Sequence, residues 1–371
     1  MALANTRDPE KSAIQLRDWL AGKLTGARDV QVTDVNSPQA SGMSNETLMF
    51  NASWTDDAGA HSAQYVARVA PTGPGVFPRY DLVTEQRVLH ALSQHTDAPV
   101  PATPWVETDT SVLGSHFLVM ERLSGRIAPD DPPFTATGWV LEELTPEQRA
   151  TMCDNALIAL TKVHAADYRA LGLDFLDHPE LGATPLDQSI ADWRNTYAWA
   201  AEGEVNPTIE AGFAWIEANK PGAEPTVLNW GDARLGNLLI TDEHTVAGIL
   251  DWEMVTLGSP EQDLGWWLLL QRHHTEGIGL PLPEGFPDRD AIIARYTELT
   301  GHQVKHADFY EAFGALKLSI LMHRAGNMMI SIGLLPPDAP MKFSNPASQL
   351  LATFIGAPAP TGTAQSFIGN R

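Results

Sequence analysis

The stretch LNWGDARLGNLLI, residues 228–240, sets Asp232, Arg234 and Asn237 within six positions, flanks them with Gly231 and Gly236, and then turns apolar. The polar run TDEHT at 241–245 separates that apolar segment from a second one, VAGIL at 246–250, so the pair reads as a β-hairpin. Asn237 then stands before the first strand and Asp251 ends the second, which gathers two oxygen-bearing side chains at one end of the hairpin. Such a pair suits a hard cation such as Mg²⁺, which takes one or two carboxylates together with waters and substrate phosphates. Asp232 lies outside the pair and is left to orient an attacking hydroxyl.

Composition narrows the setting. A chain of 371 residues with 43% hydrophobic content accommodates two domains or one two-lobed domain. The net charge of −22 argues against nucleic-acid binding, which needs a basic surface to replace counterions. We read the acidity mainly as solubility, with a cationic substrate as the other possibility it leaves open. The single cysteine, Cys153, precludes an intramolecular disulfide or a cysteine zinc cluster and fits a reducing compartment. No apolar run approaches the roughly 18 residues of a membrane span, and MALANTRDPEKS lacks a signal-peptide core. The expectation is a cytoplasmic protein, monomer or homodimer, without nucleic-acid or membrane partners.

Working outward from the hairpin, the first third alternates as a small sheet: a helix with Leu16, Trp19, Leu20 and Leu24 on one face, then DVQVTDV, ETLMFNASW and QYVARVA. In RYDLVTEQRVLHALSQH the helical stripe Leu82, Glu85, Leu89, Leu92 puts a carboxylate among leucines, where it needs a partner. After the strand HFLVMERL, the Pro-, Asp- and Gly-rich SGRIAPDDPPFTATG marks a linker. Thr145, Pro146 and Gln148 then open a helix with capping-box spacing. Most of the chain beyond that helix reads helical as well, with one β interruption at 236–251. The boundaries so read are 1–121, a linker at 122–144, 145–356, and a mobile tail at 357–371.

GD-x-x-x-x-N at 231–237 followed by ILDWE at 249–253 resembles the catalytic and metal motifs of the aminoglycoside phosphotransferase-like kinases. WGDARLGN, LDWEMVTLG and the arginine of ARVAP are most similar to the actinobacterial subgroup that also occurs as the kinase-like part of acyl-CoA dehydrogenase fusions. The resemblance covers roughly residues 30–330. It implies an α+β, bilobal protein-kinase-like fold, with a small antiparallel five-stranded N-lobe carrying one main helix and a mostly helical C-lobe. It implies ATP and Mg²⁺, with Asp232 as catalytic base and Asn237 and Asp251 as metal ligands. Glu253 and Arg234 become candidates for the metal shell or the substrate. Arg68 takes the place of the strand cation that holds nucleotide phosphates, braced by Glu85. SGMSNETLMF is similar to the family's nucleotide loop, which nominates Ser41, Gly42, Ser44 and Asn45. HFLVMERLSG is similar to the hinge that meets adenine, which nominates Met120, Glu121 and Leu123. Two positions depart from the wider family: Trp230 stands where histidine is common, and Arg68 where lysine is.

The function implied is transfer of the γ-phosphate of ATP to a hydroxyl of a small-molecule acceptor: aminoglycoside-like, alcohol or hydroxyacyl. The alternative is a catalytically silent nucleotide-binding regulatory module on the same fold. Other candidates weigh less. Asp263 reads as a brace for the catalytic loop or a helix cap, and His164 as structural. His273 and His274 read as a solvated helix end, with the border of the substrate site as the alternative. His302 and His306 lack the glutamate of H-E-x-x-H. Seven of the eleven tryptophans fall between 193 and 267, which core packing explains. The P-loop, dinucleotide and nucleophile-elbow motifs are absent.

Overall fold

The computed structural model describes residues 7–37, 45–73, 75–362 and 364. They form two compact units, one running to His95 and resuming at Val100–Leu123, the other made of Thr96–Pro99 and the chain from Ser124.

The first unit is a five-stranded antiparallel sheet with two helices. In chain order it contains α1 (Pro9–Lys23), β1 (Arg28–Asn36), β2 (Glu46–Asp56), β3 (Gly59–Val69), α2 (Leu82–His95), β4 (Trp105–Glu107) and β5 (Phe117–Glu121). The strand order is β1-β2-β3-β5-β4. Asp8 caps α1 by accepting from the Glu10 amide at 2.9 Å, with Pro9 in the first turn, where a missing N–H costs nothing. β5 shows why the sheet is covered on both faces. Phe117 and Val119 join Leu16, Trp19, Leu20 and Phe50 in one cluster, while Leu118 and Met120 join Ala70 and Leu82 in another. A strand buried on both faces reads as an unbroken apolar run, and FLVM is one.

The second unit is mostly helical. Its elements are α3 (Trp139–Glu142), α4 (Pro146–His164), α5 (Pro185–Ala200), α6 (Pro207–Asn219), β6 (Val227–Asn229), β7 (Leu238–Ile240), β8 (Val246–Ile249), β9 (Thr256–Gly258), α7 (Glu261–His273), α8 (Arg289–Thr300), α9 (Ala307–Ser331) and α10 (Pro346–Ile355). The expected capping box opens α4: the Gln148 amide donates to Thr145 Oγ1 and the Thr145 amide to Gln148 Oε1. Cys153 is buried in that helix, and burial pushes its thiol up to about 12. α9 is the hub, packed against α5, α6, α7 and α10. Its crossing with α7 depends on Gly265, where a Cβ would lie 2.4 Å from Cβ of Tyr310.

The structure differs from expectation in three places. Besides the β7–β8 hairpin, a second pair, β6 with β9, encloses the 230–255 loops. Three-residue strands are too short to show alternation. Of the expected linker, residues from Ser124 belong to the second unit: Arg126 exchanges backbone hydrogen bonds with Ile240, and its side chain pairs with Glu143 at 2.6 Å. The expected tail is anchored in its first half, because Pro360 and Gly362 carbonyls accept from Gln349 and Ser344. No helix among the described residues is long and apolar enough to cross a membrane.

Candidate active site

The loop from β6 to β7 is built around Gly231. Its φ of +94° lies in the region that favours glycine, and a Cβ there would meet the Met254 carbonyl at 2.0 Å. Asp263, at the start of α7 and wholly buried, accepts from the amides of Trp230 at 2.7 Å and Gly231 at 2.8 Å. His164 reaches the same carboxylate at 3.1 Å and Tyr296 at 2.7 Å, so Asp263 braces the loop and His164 is a structural support behind it.

Trp230 is 1% exposed, and its indole N–H donates to the carbonyls of Leu250 at 2.8 Å and Asp251 at 3.1 Å. At this position the tryptophan packs and ties the two loops together. Asp251 follows β8 with φ of +60°, a left-handed conformation that Asp tolerates better than most residues. The Leu250 amide donates to the Asn237 carbonyl at 2.9 Å, which brings Asp251 beside Asn237 as the hairpin predicted.

Asp232 is 9% exposed and held from three sides. Trp266 Nε1 donates to Oδ1 at 2.7 Å, Asn237 Nδ2 to Oδ2 at 2.7 Å, and Arg234 Nε to both oxygens at 3.1 and 3.0 Å. The amide nitrogen of Asn237 being spent on Asp232, its Oδ1 is the donor left for a cation. That oxygen and the Asp251 carboxylate are both of the hard type that Mg²⁺ takes together with phosphate and water, so Asn237 and Asp251 are the residues that could hold it. Among the described residues no group of three or more His, Cys, Asp or Glu forms a fuller metal cage.

Arg234 continues the chain to Asp130, with which its Nη1 pairs. Burial works against the guanidinium charge, but Asp130 and Asp232 outweigh it and raise the pKa. Burial likewise opposes ionisation of Asp130, yet Arg234 and His274 hold its carboxyl below the ordinary range. His274 Nε2 lies 3.8 Å from Asp130 Oδ1. Both His273 and His274 are buried rather than solvated, a correction to the sequence reading: Gln271 and Arg272 are the partly exposed residues of that turn, and the two histidines after them point inward.

In the first unit, Arg68 on β3 pairs with Glu85 on α2, Nη1 to Oε2 at 3.1 Å. The carboxylate in the leucine stripe is 1% exposed and has the partner its burial demanded. Met120 is buried in the α2-side cluster. The Glu121 amide donates to Ala102 O and that of Arg122 to Gln64 O, whereas the amides of Leu123, Ser124 and Gly125 make no backbone hydrogen bond among the described residues. Asn45 is buried just before β2, whereas Ser41, Gly42 and Ser44 lie outside the described residues. Glu253 sits half-buried in the turn after Asp251.

Sequence reading missed Asp130, Trp266 and Lys317. Asp130 sits in a segment whose Pro and Gly content announced only a loop. Trp266 looked like one more core tryptophan. Lys317 carried a usable signal: a lone lysine in FGALKLSILM, where no polar face exists to receive it. An apolar cavity of about 310 Å³ lined by Cys153, Leu157, Trp267, Phe286 and Arg295 includes none of the site residues.

The model of the phosphotransferase enzyme family matches residues 37–299. IBR3 of Arabidopsis thaliana, named for an acyl-CoA dehydrogenase, is 30% identical over 295 residues, 74% of this chain and 34% of its own. Human acyl-CoA dehydrogenase family member 11 is 29% identical over 233 residues, 59% of this chain and 28% of its own. The chain thus spans about a third of the length of these relatives. A protein of Ralstonia eutropha JMP134 assigned as an aminoglycoside phosphotransferase superposes with a TM-score of 0.67 at 23% identity, covering 92% of this chain and 98% of its own. The GDP complex of aminoglycoside 2′-phosphotransferase-IIIa gives 0.53 at 14% identity, covering 94% and 99%. These likenesses establish the α+β protein-kinase-like fold. With a family match that runs through the β3–α2 pair, the Gly231 loop and the hairpin to Asp251, the chain belongs to the phosphotransferase enzyme family.

Proposed function

We propose that the protein transfers the γ-phosphate of ATP to a hydroxyl group of a small molecule. The observation that carries this reading is the setting of Asp232: a nearly buried carboxylate fixed by Trp266, Asn237 and Arg234 on a loop braced by Asp263. Such a group is built to hold one orientation, and phosphoryl transfer depends chiefly on positioning and charge neutralisation.

In this reading Asp232 accepts the hydrogen bond of the acceptor hydroxyl and aligns its oxygen for in-line attack on the γ-phosphorus. The hydroxyl proton passes to Asp232 as the bond to the leaving oxygen of ADP breaks. Asn237 and Asp251 are the residues that would hold Mg²⁺, which when bound neutralises phosphate charge. Arg68, kept extended by Glu85, makes charge-assisted hydrogen bonds to phosphate oxygens. Leu123 offers a backbone donor to the base. Arg234, hydrogen-bonded to both carboxylate oxygens of Asp232, is by its place two residues on the cation for the transferred phosphate. The GDP-bound neighbour supports nucleotide binding by this fold.

The test is an ATP-consumption screen over alcohols, sugars, hydroxy acids, hydroxyacyl compounds and aminoglycosides, with Asp232→Asn as the blank. The variant should bind MgATP as the wild type does and turn over about 10²–10⁴-fold more slowly. Wild-type turnover in Asp232→Asn removes the base assignment. Stabilisation by MgATP with no product across the screen identifies a binding module instead.

A further inference from the structure

Asp130 belongs to the segment before α3, which is pinned to its surroundings at several points. Arg126 exchanges backbone hydrogen bonds with Ile240 at 2.8 and 2.9 Å, so the segment runs beside the hairpin that follows Asn237. The Phe134 amide donates to the Pro129 carbonyl at 2.7 Å. The Phe134 ring meets His274 edge-on and stacks on Phe286, with ring centres 5.7 Å apart in both pairs. Thr135 Oγ1 donates to the His274 carbonyl. A carboxylate on such a segment is placed by its own backbone rather than by Arg234, so it can serve to position that arginine.

Arg234 Nη1 pairs with Asp130 Oδ2, Nε serves both oxygens of Asp232 at 3.1 and 3.0 Å, and Nη2 makes no hydrogen bond among the described residues. A guanidinium beside a carboxylate ordinarily closes a two-pronged pair on it. Here the second prong is drawn to Asp130 instead. Gly236 makes the room: a Cβ there would lie 2.5 Å from Arg234 Nη1 and 2.7 Å from each Asp130 carboxylate oxygen. The division of the guanidinium decides how much of the proposed base stays usable. A carboxylate offers about four lone-pair sites, and Asp232 already accepts from three N–H groups, on Trp266, Asn237 and Arg234. A second N–H from Arg234 would fill the last site.

We propose that Asp130 is a positioning residue for phosphoryl transfer: by holding Arg234 Nη1 it keeps the guanidinium from closing on Asp232. This rests on the reading of Asp232 as the base. One lone pair of Asp232 then remains for the acceptor hydroxyl, and Nη2 remains for an oxygen of the transferred phosphate. Asp130 Oδ1 is buried without a hydrogen-bond partner and His274 Nε2 stands 3.8 Å from it, so among the described residues Asp130 has its side-chain hydrogen bond from Arg234 alone. Without Asp130 the arginine has Asp232 as its remaining carboxylate and closes on it. Asp130 itself makes no bond in the reaction: the acceptor oxygen bonds to the γ-phosphorus, ADP departs, and the hydroxyl proton goes to Asp232. The same division explains why a glycine stands between Arg234 and Asn237, where any side chain would push the pair apart.

The experiment measures, by titration calorimetry on the full chain, the affinity for MgADP with and without aluminium fluoride, which stands in for the phosphoryl group in transfer. The proteins are wild type, Asp130→Ala, Asp130→Asn, Arg234→Ala and the double variant Asp130→Ala/Arg234→Ala. Wild type should bind MgADP more tightly when aluminium fluoride is present. Asp130→Ala should lose about tenfold or more of that gain, the range of one charged hydrogen bond. Its affinity for MgADP alone should stay within about twofold of wild type, the scatter expected of sites that do not interact. Asp130→Asn keeps an acceptor oxygen and should lose less. The double variant should match Arg234→Ala, because Asp130 acts through Arg234, whereas a merely structural role would add the two losses. Full gain in Asp130→Ala, additive losses, or an MgADP affinity that falls in step with the gain each overturns the proposal. If Asp130→Ala does not fold, Asp130→Asn decides, and an undiminished gain there overturns it. Wild type with no fluoroaluminate gain sinks the reading of this site as a transfer centre, whereas a wild-type gain that the Asp130 variants keep sinks the positioning role alone.

Discussion

Trp266 donates its indole N–H to Oδ1 of Asp232 at 2.7 Å, so the proposed base has one oxygen committed to a rigid ring on α7. Trp266→Phe keeps the ring and removes the donor. A hydrogen bond to a charged group contributes about 1.5–3 kcal/mol, which as lost positioning corresponds to roughly a ten- to hundredfold fall in kcat. KM for ATP should stay near wild type, because the ring makes no contact that the nucleotide needs. Steady-state kinetics check this, and an unchanged kcat would show that Asn237 and Arg234 hold the carboxylate by themselves.

The Asp263 brace predicts a loss of stability. Asp263→Ala would leave the amides of Trp230 and Gly231 and the His164 ring without their common acceptor in a fully buried position. Breaking a buried charged network of this kind costs about 3–5 kcal/mol. Asp263→Asn retains one acceptor oxygen and should lose visibly less. Urea unfolding followed by tryptophan fluorescence gives the comparison, and equal losses for the two variants would mean that the loop does not depend on the number of acceptors.

How much of this was legible in the sequence depends on how far apart the partners lie. Asn237 and Asp251 flank one hairpin and Asp232 lies on the short loop just before it, so their relation is local in sequence. The leucine stripe showed that Glu85 needs a partner, and the resemblance to the kinase-like family named Arg68 as that partner. Asp130 meets Arg234 across about a hundred residues with nothing periodic between them, so no local pattern reported it. Trp266 was visible only as a tryptophan, since the direction of an indole N–H is set by helix packing, here by the close approach that Gly265 permits. β6 and β9 were hidden by their three-residue length.

His273 supplies a prediction in pH. Both of its ring nitrogens lack hydrogen-bond partners among the described residues, and burial, helped by neighbouring His274, pushes its pKa down to about 3. The folded value lies below the unfolded one, so as pH falls through the unfolded pKa the unfolded chain takes up a proton that the native ring refuses. Stability is complete above about pH 6.5 and should fall by roughly 1.4 kcal/mol per pH unit below it from this group alone. His273→Phe should flatten the slope between pH 6 and pH 4 by that amount. Burial lowers His274 as well, so some slope should remain. Urea midpoints across this range test it, and an undiminished slope in the variant would show that His273 does not stay neutral.

Lys317 should cost the protein stability. Burial pushes its ammonium from 10.5 down to about 8, so below pH 8 the native state carries a charge it disfavours, and above pH 10.5 the penalty is gone. The shift corresponds to a penalty of about 3 kcal/mol at pH 7, an order-of-magnitude figure. Methionine has similar length and no charge, and replacing a buried charge by an apolar residue of like volume is often stabilising. Lys317→Met is therefore expected to melt higher than wild type at pH 7, with the gap closing as pH rises toward 10. Thermal melts of both proteins across that range decide the point: a variant that melts lower at pH 7 would show that the ring contacts of the ammonium with Trp266, Phe313 and Trp193 outweigh the cost of burying the charge.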